Sequence, residues 1–333
     1  MSLPSVCILT FSYLLLATSL AQAAYPQNPL LLNDSIYVSQ QGIYKFDRNL
    51  SEPIWSSLAG IETFEPVIHQ DLLLVGSTQG LYALNLDTGR VTWHIEKQHT
   101  LFTPTISAKA YAGSLHGELY AIDPQNGSID WRRQFTGWIY SPVVSEETNL
   151  LWTGGQEHQV YAIDIRDGNL QQQIATTQES VFSAVDLGAR QVAFNLFDGS
   201  TLVVMSDNGQ ATAILDGDSQ PNGIYAYRDT IYRSHRDGSL SAFAAQDQAL
   251  KWRRSLVPQD LFIHPSQPGY LLLSDRDRTL LLLNLEQSND PCSIHPQGQW
   301  LLPLQLDTEN IIYFQKSMQP LGLTLVQILA QCK

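Results

Sequence analysis

Basic side chains are scarce in this chain of 333 residues, where 19 lysines and arginines are outnumbered by 32 aspartates and glutamates. The formal net charge is −13 at pH 7. Neutralising the phosphates of a nucleic acid, or the headgroups of an anionic membrane, requires clustered lysine and arginine side chains. The composition therefore predicts that the chain binds neither nucleic acid nor an anionic lipid surface.

Cysteine is also rare, with three residues in the chain. Cys7 lies in an N-terminal apolar segment, and no CxxC spacing indicates a redox or metal pair. In an oxidising compartment, a disulfide between Cys292 and Cys332 is the first interpretation, and two unpaired thiols are the alternative. Closing a loop of about 40 residues would stabilise the fold by on the order of 4 kcal/mol in the chain-entropy description.

Sequence motifs of catalysis are also missing. The chain has no GxSxG elbow, phosphate-binding loop, HExxH or EF-hand pattern. Its eight histidines are scattered without metal-ligand spacing. Carboxylate pairs such as Asp216 and Asp218 lie in evident turns, where they are explained by turn chemistry. The sequence therefore predicts no catalytic residue and no metal, and leaves open an active site assembled from several parts of the chain.

Only the N-terminus carries a long apolar segment. Residues 1–23 have no charge, contain an apolar run over residues 6–20 and end in Ala21-Gln22-Ala23, a pattern typical of signal-peptidase cleavage. We expect residues 1–23 to be a cleavable signal peptide, which indicates a periplasmic or secreted protein. Because residues 1–5 lack lysine and arginine, an uncleaved anchor is the alternative. Later apolar runs have the length of strands, so no other membrane span is predicted.

What the chain has in abundance is repetition. The segments LYALNLDTGRVTW (residues 81–93) and LYAIDPQNGSIDW (residues 119–131) place Tyr82 and Tyr120 38 residues apart, and their tryptophans equally so. Six further copies of the pattern, some of them worn, bring the total to eight. They lie at residues 43–55, 160–168, 202–209, 240–252, 280–284 and 322–329.

The chemistry of one copy indicates its structure. An alternating strand is followed by Asp or Asn and then by Thr-Gly or Asn-Gly, which predicts a tight turn because glycine adopts positive φ. A second strand ends in tryptophan, and two short strands precede each copy. Four strands in about 40 residues without helical periodicity are typical of a β-propeller blade. A blade cannot bury both faces alone, so blades must stack radially.

The sequence thus predicts an all-β fold, an eight-bladed β-propeller of four-stranded antiparallel blades, formed by residues 24–333 as a single domain. The last blade is expected to be incomplete, because its candidate strands at residues 300–306, 310–315 and 322–329 precede only four more residues. A disulfide between Cys292 and Cys332 would tie this blade to the one before it.

The recurring motif residues are predicted to pack between blades and not to bind a cofactor. They are Tyr82, Gly89, Trp93, Tyr120, Gly127, Trp131, Tyr161, Gly168 and Trp252.

A second recurring set is aromatic. Phe64, Phe102 and Tyr140 each stand two residues before a proline that begins the first strand of a unit, and Phe182 holds the equivalent place in the next unit. If the first strand is innermost, these rings gather near one mouth of the central channel. There they would form a collar that stacks on a ligand or on a partner side chain. Packing between blades is the alternative.

The hairpin loops ahead of the motif strand are rich in charge, and they should emerge on the same face as the connections between blades. We interpret that face as a candidate contact surface, because functional side chains concentrate on loops of a rigid scaffold. Solvated turns are the alternative. The candidates are His116, Glu118, Glu157, His158, His235, Arg236, Asp237, Asp275, Arg276, Asp277 and Arg278.

The unit Tyr-Ala-[Ile/Leu]-[Asp/Asn]-x-x-[Thr/Asn]-Gly-x-x-x-Trp resembles the PQQ-like β-propeller repeat, over residues 29–329. As a signal it specifies the fold and not the function. Quinone-dependent dehydrogenases of this superfamily resemble one another in a vicinal cysteine pair, which this chain lacks. The resemblance therefore implies no PQQ cofactor, although PQQ or another small ligand at the channel mouth, with oxidoreductase-like activity, is the alternative.

Within the superfamily, the build is similar to that of the outer-membrane assembly factor BamB. That resemblance implies an exported, non-catalytic scaffold or assembly factor of the bacterial cell envelope. Its partner would be an envelope or periplasmic protein, bound by a monomer of this chain within a hetero-complex.

Overall fold

The computed structural model of the protein describes residues 29–32, 34–39, 41–47, 52–178, 184–188, 190–215, 221–264, 269–275, 279–286, 291–294, 300–306, 310–315 and 320–324. Every regular element in these ranges is a β-strand. Within them, no helix has the length and apolar character needed to cross a membrane. The predicted signal peptide, residues 1–23, lies outside the described residues and stays a prediction.

The first sheet has seven strands in chain order. They are β1 (Leu30–Leu32), β2 (Ser35–Ser39), β3 (Gln41–Asp47), β4 (Trp55–His69), β5 (Leu72–Ser77), β6 (Gly80–Asn85) and β7 (Val91–Ile95).

Five sheets of four antiparallel strands follow, each in chain order across the sheet. The first two contain β8 (Thr105–Ile106), β9 (Ala110–Gly113), β10 (Glu118–Ile122) and β11 (Ile129–Gln134), then β12 (Val143–Ser145), β13 (Leu150–Gly154), β14 (Gln159–Asp164) and β15 (Leu170–Ala175). The next two contain β16 (Val185–Gly188), β17 (Gln191–Asn195), β18 (Thr201–Met205) and β19 (Ala211–Leu215), then β20 (Pro221–Tyr227), β21 (Thr230–His235), β22 (Ser239–Ala244) and β23 (Leu250–Ser255). The fifth contains β24 (Phe262–His264), β25 (Tyr270–Ser274), β26 (Leu280–Asn284) and β27 (Cys292–Ile294).

The described residues end with a three-stranded sheet of β28 (Trp300–Leu306), β29 (Asn310–Gln315) and β30 (Pro320–Thr324). The four-stranded antiparallel units predicted from the repeat are confirmed by the five sheets of that size.

The seven-stranded sheet contains two repeat units that share β4. The first residues of β4 pair with β3, whereas residues 63–69 pair with β5. Leu58 and Gly60, both at positive φ, turn the chain between these two pairings. The sequence predicted a separation of the two units after Trp55. In the structure the strand continues as far as Pro66 and beyond, because this stretch contains two backbone kinks and no earlier proline. We number the repeat units in chain order, with β4 ending unit one and beginning unit two.

The middle strands of units two to seven are buried on both faces. In unit three, Ala110 and Tyr120 pack against residues of unit two, including Leu74. Their strand neighbours Tyr111 and Leu119 point the other way and pack against unit four. This follows from the alternation of side chains along a strand, which lets one sheet contribute to two apolar clusters. Each large apolar side chain buried in this way contributes about 1.5–3 kcal/mol to stability.

The first strands of successive units contact one another, which places them on the inside of the stack. Contacts join β4 to β8, β12 to β16, β16 to β20, β20 to β24 and β24 to β28. The fourth strands form the outside, as shown by the half-exposed patterns of β11 and β15. Radially stacked antiparallel sheets of this kind are the arrangement of a β-propeller.

His264, at the end of β24, is 7% exposed, and its Nε2 lies 2.7 Å from the Ser274 hydroxyl. Burial lowers its pKa to about 3, against about 6.5 for an unfolded histidine. Below about pH 6.5 the unfolded chain therefore takes up a proton that the folded protein does not, and stability falls as the pH falls. We expect this residue alone to remove about 2 kcal/mol of unfolding free energy between pH 7.5 and pH 5.

Urea unfolding at both pH values checks the expectation. His264→Gln should lose about 2 kcal/mol less than the wild type on acidification. His158→Gln, which replaces an exposed histidine, is the matched control for the removal of an imidazole. An unchanged pH dependence in His264→Gln would contradict the assignment.

Candidate interaction face and inner cavity

The turn between the third and fourth strands is built alike in successive repeats. In unit two, the Gly89 N–H donates to the Asn85 carbonyl, and the Asn85 N–H donates to the Arg90 carbonyl, both at 2.9 Å. Gly89 has φ +66°, which an L-residue rarely adopts. The same glycine-to-carbonyl bond recurs at Gly127 with Asp123, Gly168 with Asp164 and Gly209 with Met205.

In units one to three, the tryptophan lies on the turn glycine of the next repeat. A Cβ atom added to Gly168 would come within 2.7 Å of the Trp131 ring. The Trp131 indole N–H donates to the carbonyl of Ile165 in the same turn, at 3.2 Å. Equivalent pairs are Trp55 with Gly89 and Trp93 with Gly127, whose indoles donate to Leu86 and Pro124. The motif tryptophans therefore join neighbouring units.

The motif tyrosines lie inside the hairpins. The Tyr82 ring stacks on His94 with centroids 3.7 Å apart. The hydroxyl of Tyr120 donates to Glu118 and that of Tyr161 donates to Glu157, both at 2.5 Å. Burial first, and then the bond to the carboxylate, raise the pKa of both tyrosines above the usual range. Trp252 packs beside Tyr232, with centroids 6.2 Å apart.

The hairpins between the second and third strands share one face with the connections between units. The Leu115 N–H of one hairpin donates to the connection that precedes this hairpin. In the connection that follows it, the Ile139 N–H donates to the Ser114 carbonyl of the same hairpin. The hairpin and both connections therefore lie on one face. We call this surface the hairpin face. Its exposed polar side chains among the predicted candidates are His116, His158, Arg236 and Asp237, and Glu157 is half-buried.

Three candidate contact residues are buried, and the prediction that they form a surface is wrong for them. Glu118, His235 and Asp275 are 6%, 1% and 3% exposed. Each is used within its own hairpin: His235 Nε2 lies 3.1 Å from the Ser241 hydroxyl, and Asp275 accepts the Thr279 N–H at 2.7 Å. Arg276, Asp277 and Arg278 lie outside the described residues.

Glu118 is the centre of a polar cluster behind the hairpin face. One carboxylate oxygen accepts the Tyr120 hydroxyl and lies 2.8 Å from His99 Nδ1. The other lies 3.4 Å from the Arg132 guanidinium. The His99 ring stacks on His116 with centroids 4.4 Å apart. The cluster fixes the hairpin of unit three to the connection before it, and leaves His116 exposed above it.

The exposed charges of unit six are also anchored. Asp237 accepts the Ser239 N–H at 3.0 Å and lies 2.6 Å from the Arg253 guanidinium. Partial burial pushes the pKa of Asp237 upward, but the bonds from Ser239 and the charge of Arg253 outweigh it and hold the pKa below the usual range. Arg236 lies 3.7 Å from Asp260 in the following connection. The hairpin face is therefore a set of positioned side chains on rigid sheets.

Three of the four predicted collar residues come together. The Phe64 and Phe102 rings are 5.8 Å apart and the Phe102 and Tyr140 rings 5.6 Å apart, each pair tilted. All three rings are half-buried, and we call them the aromatic row. Phe182 lies outside the described residues, so the full collar stays a prediction.

A cavity of about 500 Å³ lies where the first strands of units two, three and four converge. Among the described residues, its polar lining is Glu65, Thr103, Thr105 and Ser141. Val67, Ile106 and Val143 contribute apolar surface. We call this space the inner cavity. Because Glu65, Thr103 and Ser141 directly follow the members of the aromatic row, row and cavity are adjacent.

The residues of the inner cavity are not among those predicted from the sequence, although a signal was present. An aromatic residue, a polar residue and proline recur as Phe64-Glu65-Pro66, Phe102-Thr103-Pro104 and Tyr140-Ser141-Pro142. The aromatic and the proline were recognised, and the residue between them was not. Of the two cysteines predicted to form a disulfide, Cys292 begins β27, whereas Cys332 lies outside the described residues. Their disulfide stays a prediction.

Comparison with known proteins agrees with this architecture. The family described as outer membrane protein assembly factor BamB matches residues 97–223. The crystal structure of BamB from Moraxella catarrhalis superposes with a TM-score of 0.70 at 14% identity, covering 90% of this chain and 96% of that chain. The computationally designed Ika8 protein superposes with a TM-score of 0.54 at 11% identity, covering 78% of this chain and 96% of that chain. No curated protein sequence matches the chain.

These matches confirm the resemblance seen in the Tyr-to-Trp unit. The recurring turn, the tryptophan on the next glycine and the radial stack of antiparallel sheets provide its structural basis. The chain therefore has a β-propeller fold built from PQQ-like repeats and similar to that of BamB.

Proposed function

We propose that the protein is an exported, non-catalytic scaffold of the bacterial cell envelope that binds another protein through its hairpin face. The observation that carries the proposal is the likeness to BamB, which covers 90% of this chain and is accompanied by the match of residues 97–223 to the family described as an assembly factor. The likeness itself concerns the fold, and the role in assembly is the proposed step.

The proposal includes a closed ring of eight blades formed by residues 24–333. The seven-stranded sheet counts as two blades because β4 is shared, and five four-stranded sheets and one three-stranded sheet complete the number. A disulfide between Cys292 and Cys332 would fasten the last blade to the preceding one. Residues 1–23 would direct export and then be removed.

The hairpin face suits a binding role because its side chains are positioned before a partner arrives. Ion pairs and hydrogen bonds at Glu118 and Asp237 hold the hairpins of units three and six. A rigid, pre-ordered surface loses little conformational entropy on association. Histidine, arginine and aspartate on this surface offer both charge signs, which gives a partner orientation as well as affinity.

Comparative capture from native envelopes tests the proposal. The bait variant His116→Ala/His158→Ala/Arg236→Ala removes three exposed side chains of the hairpin face. We expect it to lose at least about tenfold of the specific partner that the wild type retains, because a few central residues dominate interface energies. Quantitative mass spectrometry of the captured proteins is the measurement.

The matched control carries Asp87→Ala, Arg90→Ala and Gln125→Ala, three exposed residues of the turns at the opposite end of the strands. This control should capture the same protein as the wild type. If the face variant and the control retain the protein equally, the hairpin face is not the binding surface. If the wild type captures nothing above an empty matrix, the scaffold proposal fails.

A further inference from the structure

The outer strand of each four-stranded sheet has one edge beside which the described part of the chain places no further strand. In unit four this strand is β15, which pairs with β14 alone. Alternate N–H and C=O groups along an unpaired edge point away from the sheet, where they can bond to an additional strand. The outer edge of β15 therefore offers backbone donors and acceptors to another chain.

The edge of β15 lacks the usual protection against such pairing. Among the described outer strands, β11, β15 and β23 each have six residues. Both β11 and β23 contain three charged residues, whereas β15 has the sequence LQQQIA, with no charge and no proline. Charged side chains and prolines are common means by which proteins keep exposed edges from binding other chains. The edge of β15 is thus the least protected of the three.

Neighbouring units hold β15 in an extended conformation. Leu170 and Ile174 are half-buried and pack against the apolar clusters on the two sides of unit four. Gln171 and Gln173, which alternate with them, are exposed and uncharged. Because the strand is already ordered, it loses little conformational entropy when it pairs with another strand.

Carboxylates lie at both ends of β15. Asp167, in the turn before the strand, is exposed and accepts the Asn169 N–H at 2.9 Å. Beyond the other end, the exposed carboxylate of Asp198 accepts the Thr177 hydroxyl at 2.7 Å. Neither carboxylate forms an ion pair with a lysine or an arginine in the described part of the chain. A segment with a basic side chain at each end would therefore gain electrostatic attraction at both ends.

We propose that β15 binds an extended segment of another protein as an added strand, with a lysine or arginine near each end of that segment. In this mode of recognition, backbone hydrogen bonds provide affinity and side chains provide specificity. A second copy of this chain is a poor occupant, because both copies carry a net charge of −13 and repel each other. This surface is separate from the hairpin face, so the proposal does not depend on the partner proposed there.

A synthetic peptide tests the proposal on the wild-type protein. The probe is the acetylated and amidated octapeptide Lys-Thr-Val-Thr-Val-Thr-Val-Lys. At about 3.3 Å per residue it extends over about 26 Å, which places one lysine beyond each end of the roughly 20 Å of β15. Calorimetric titration at a physiological salt concentration should show saturable 1:1 binding. The same peptide with N-methylated backbone amides cannot pair with an edge and should not bind. A counterpart with glutamate at both ends should bind at least about tenfold more weakly.

Two matched variants and hydrogen exchange locate the site. Gln171→Lys/Gln173→Lys places two positive charges on β15 and should weaken binding of the lysine peptide by at least about tenfold. Val91→Lys/Thr92→Lys adds the same charge at two exposed positions of the outer strand β7 and should leave the affinity unchanged. In the wild type, the bound peptide should slow amide exchange in residues 170–175.

Five results would overturn the proposal: no saturable binding of the lysine peptide, equal binding of the N-methylated peptide, equal binding of the glutamate peptide, equal weakening in both variants, or protection confined to other residues.

Discussion

Replacing Trp131 with alanine is expected to lower the free energy of unfolding by about 3–4 kcal/mol, with the loss located between units three and four. The ring covers Gly168 of the next unit, donates to the Ile165 carbonyl and packs beside Tyr111. Its removal leaves a gap in the interface and a carbonyl without its donor. Urea unfolding measures the change. It is monitored by the circular dichroism of the backbone, so that the signal does not depend on the replaced tryptophan.

Two control substitutions separate packing from a general effect on the strand. Ile129→Ala changes an exposed residue of the same strand, 39% accessible, and should cost less than about 0.5 kcal/mol. Trp131→Phe keeps an aromatic ring and loses the indole donor, so an intermediate loss is expected. A loss from Trp131→Ala no larger than that of the Ile129 control would contradict the role given to the motif.

The contact between Trp131 and Gly168 also predicts strong coupling. Gly168→Ala forces a Cβ to within 2.7 Å of the ring and strains a residue at φ +72°. In the Trp131→Ala background the clash disappears and only the backbone strain remains. The two losses of unfolding free energy should therefore not add. The double variant should lose less than the sum of the two single losses, by about 1 kcal/mol or more.

The repeat explains why so much of the fold could be predicted from sequence. Tyr82, Gly89 and Trp93 each have a structural reason to be conserved in form between copies, and the glycine and tryptophan contacts recur in several of them, so spacing alone reveals the unit. The unit also survives where the residues change. Gln172 occupies the tryptophan place against Gly209, and Gln248 occupies the glycine place at φ +57°. Such exchanges hide a copy from pattern matching while preserving its geometry.

The continuous β4 could not be predicted for a different reason. The sequence between Trp55 and Pro66 contains Gly60, a residue typical of turns. A break was therefore the natural interpretation. Whether a strand bends and continues, or ends and restarts, depends on the pairing offered by its neighbours. Here β3 pairs with the first part of β4 and β5 pairs with its last part. Local sequence does not encode this pairing.

In the hairpin face, the sequence alone does not determine which polar residues are exposed and which are buried. Charged residues in short turns are usually solvated, and His116, His158 and Arg236 follow that rule. Glu118 and His235 are one or two positions from exposed neighbours, yet they are buried because they are the first residue of β10 and the last of β21, middle strands that are covered on both faces. A shift of one residue decides between a contact residue and a structural one, and the turn sequence alone does not fix that shift.

Glu118→Ala is expected to destabilise the protein by about 3 kcal/mol, because removing one partner from a buried polar cluster strands the others. The Tyr120 hydroxyl would lose its carboxylate acceptor at 2.5 Å, Arg132 would lose its counter-charge, and His99 Nδ1 would lose the carboxylate oxygen 2.8 Å away. Burial prevents water from replacing the carboxylate fully. Urea unfolding of the variant beside the wild type measures the loss.

Three further variants decide whether the cluster or the charge matters. Glu118→Gln retains an oxygen that can accept from Tyr120 and should recover more than half of the loss. Glu146→Ala removes an exposed carboxylate and should change stability by less than about 0.5 kcal/mol. In the Tyr120→Phe background no hydroxyl is stranded, so Glu118→Ala should cost clearly less there. Equal costs in both backgrounds would mean that the carboxylate acts independently of the tyrosine and would contradict the coupling proposed for the cluster.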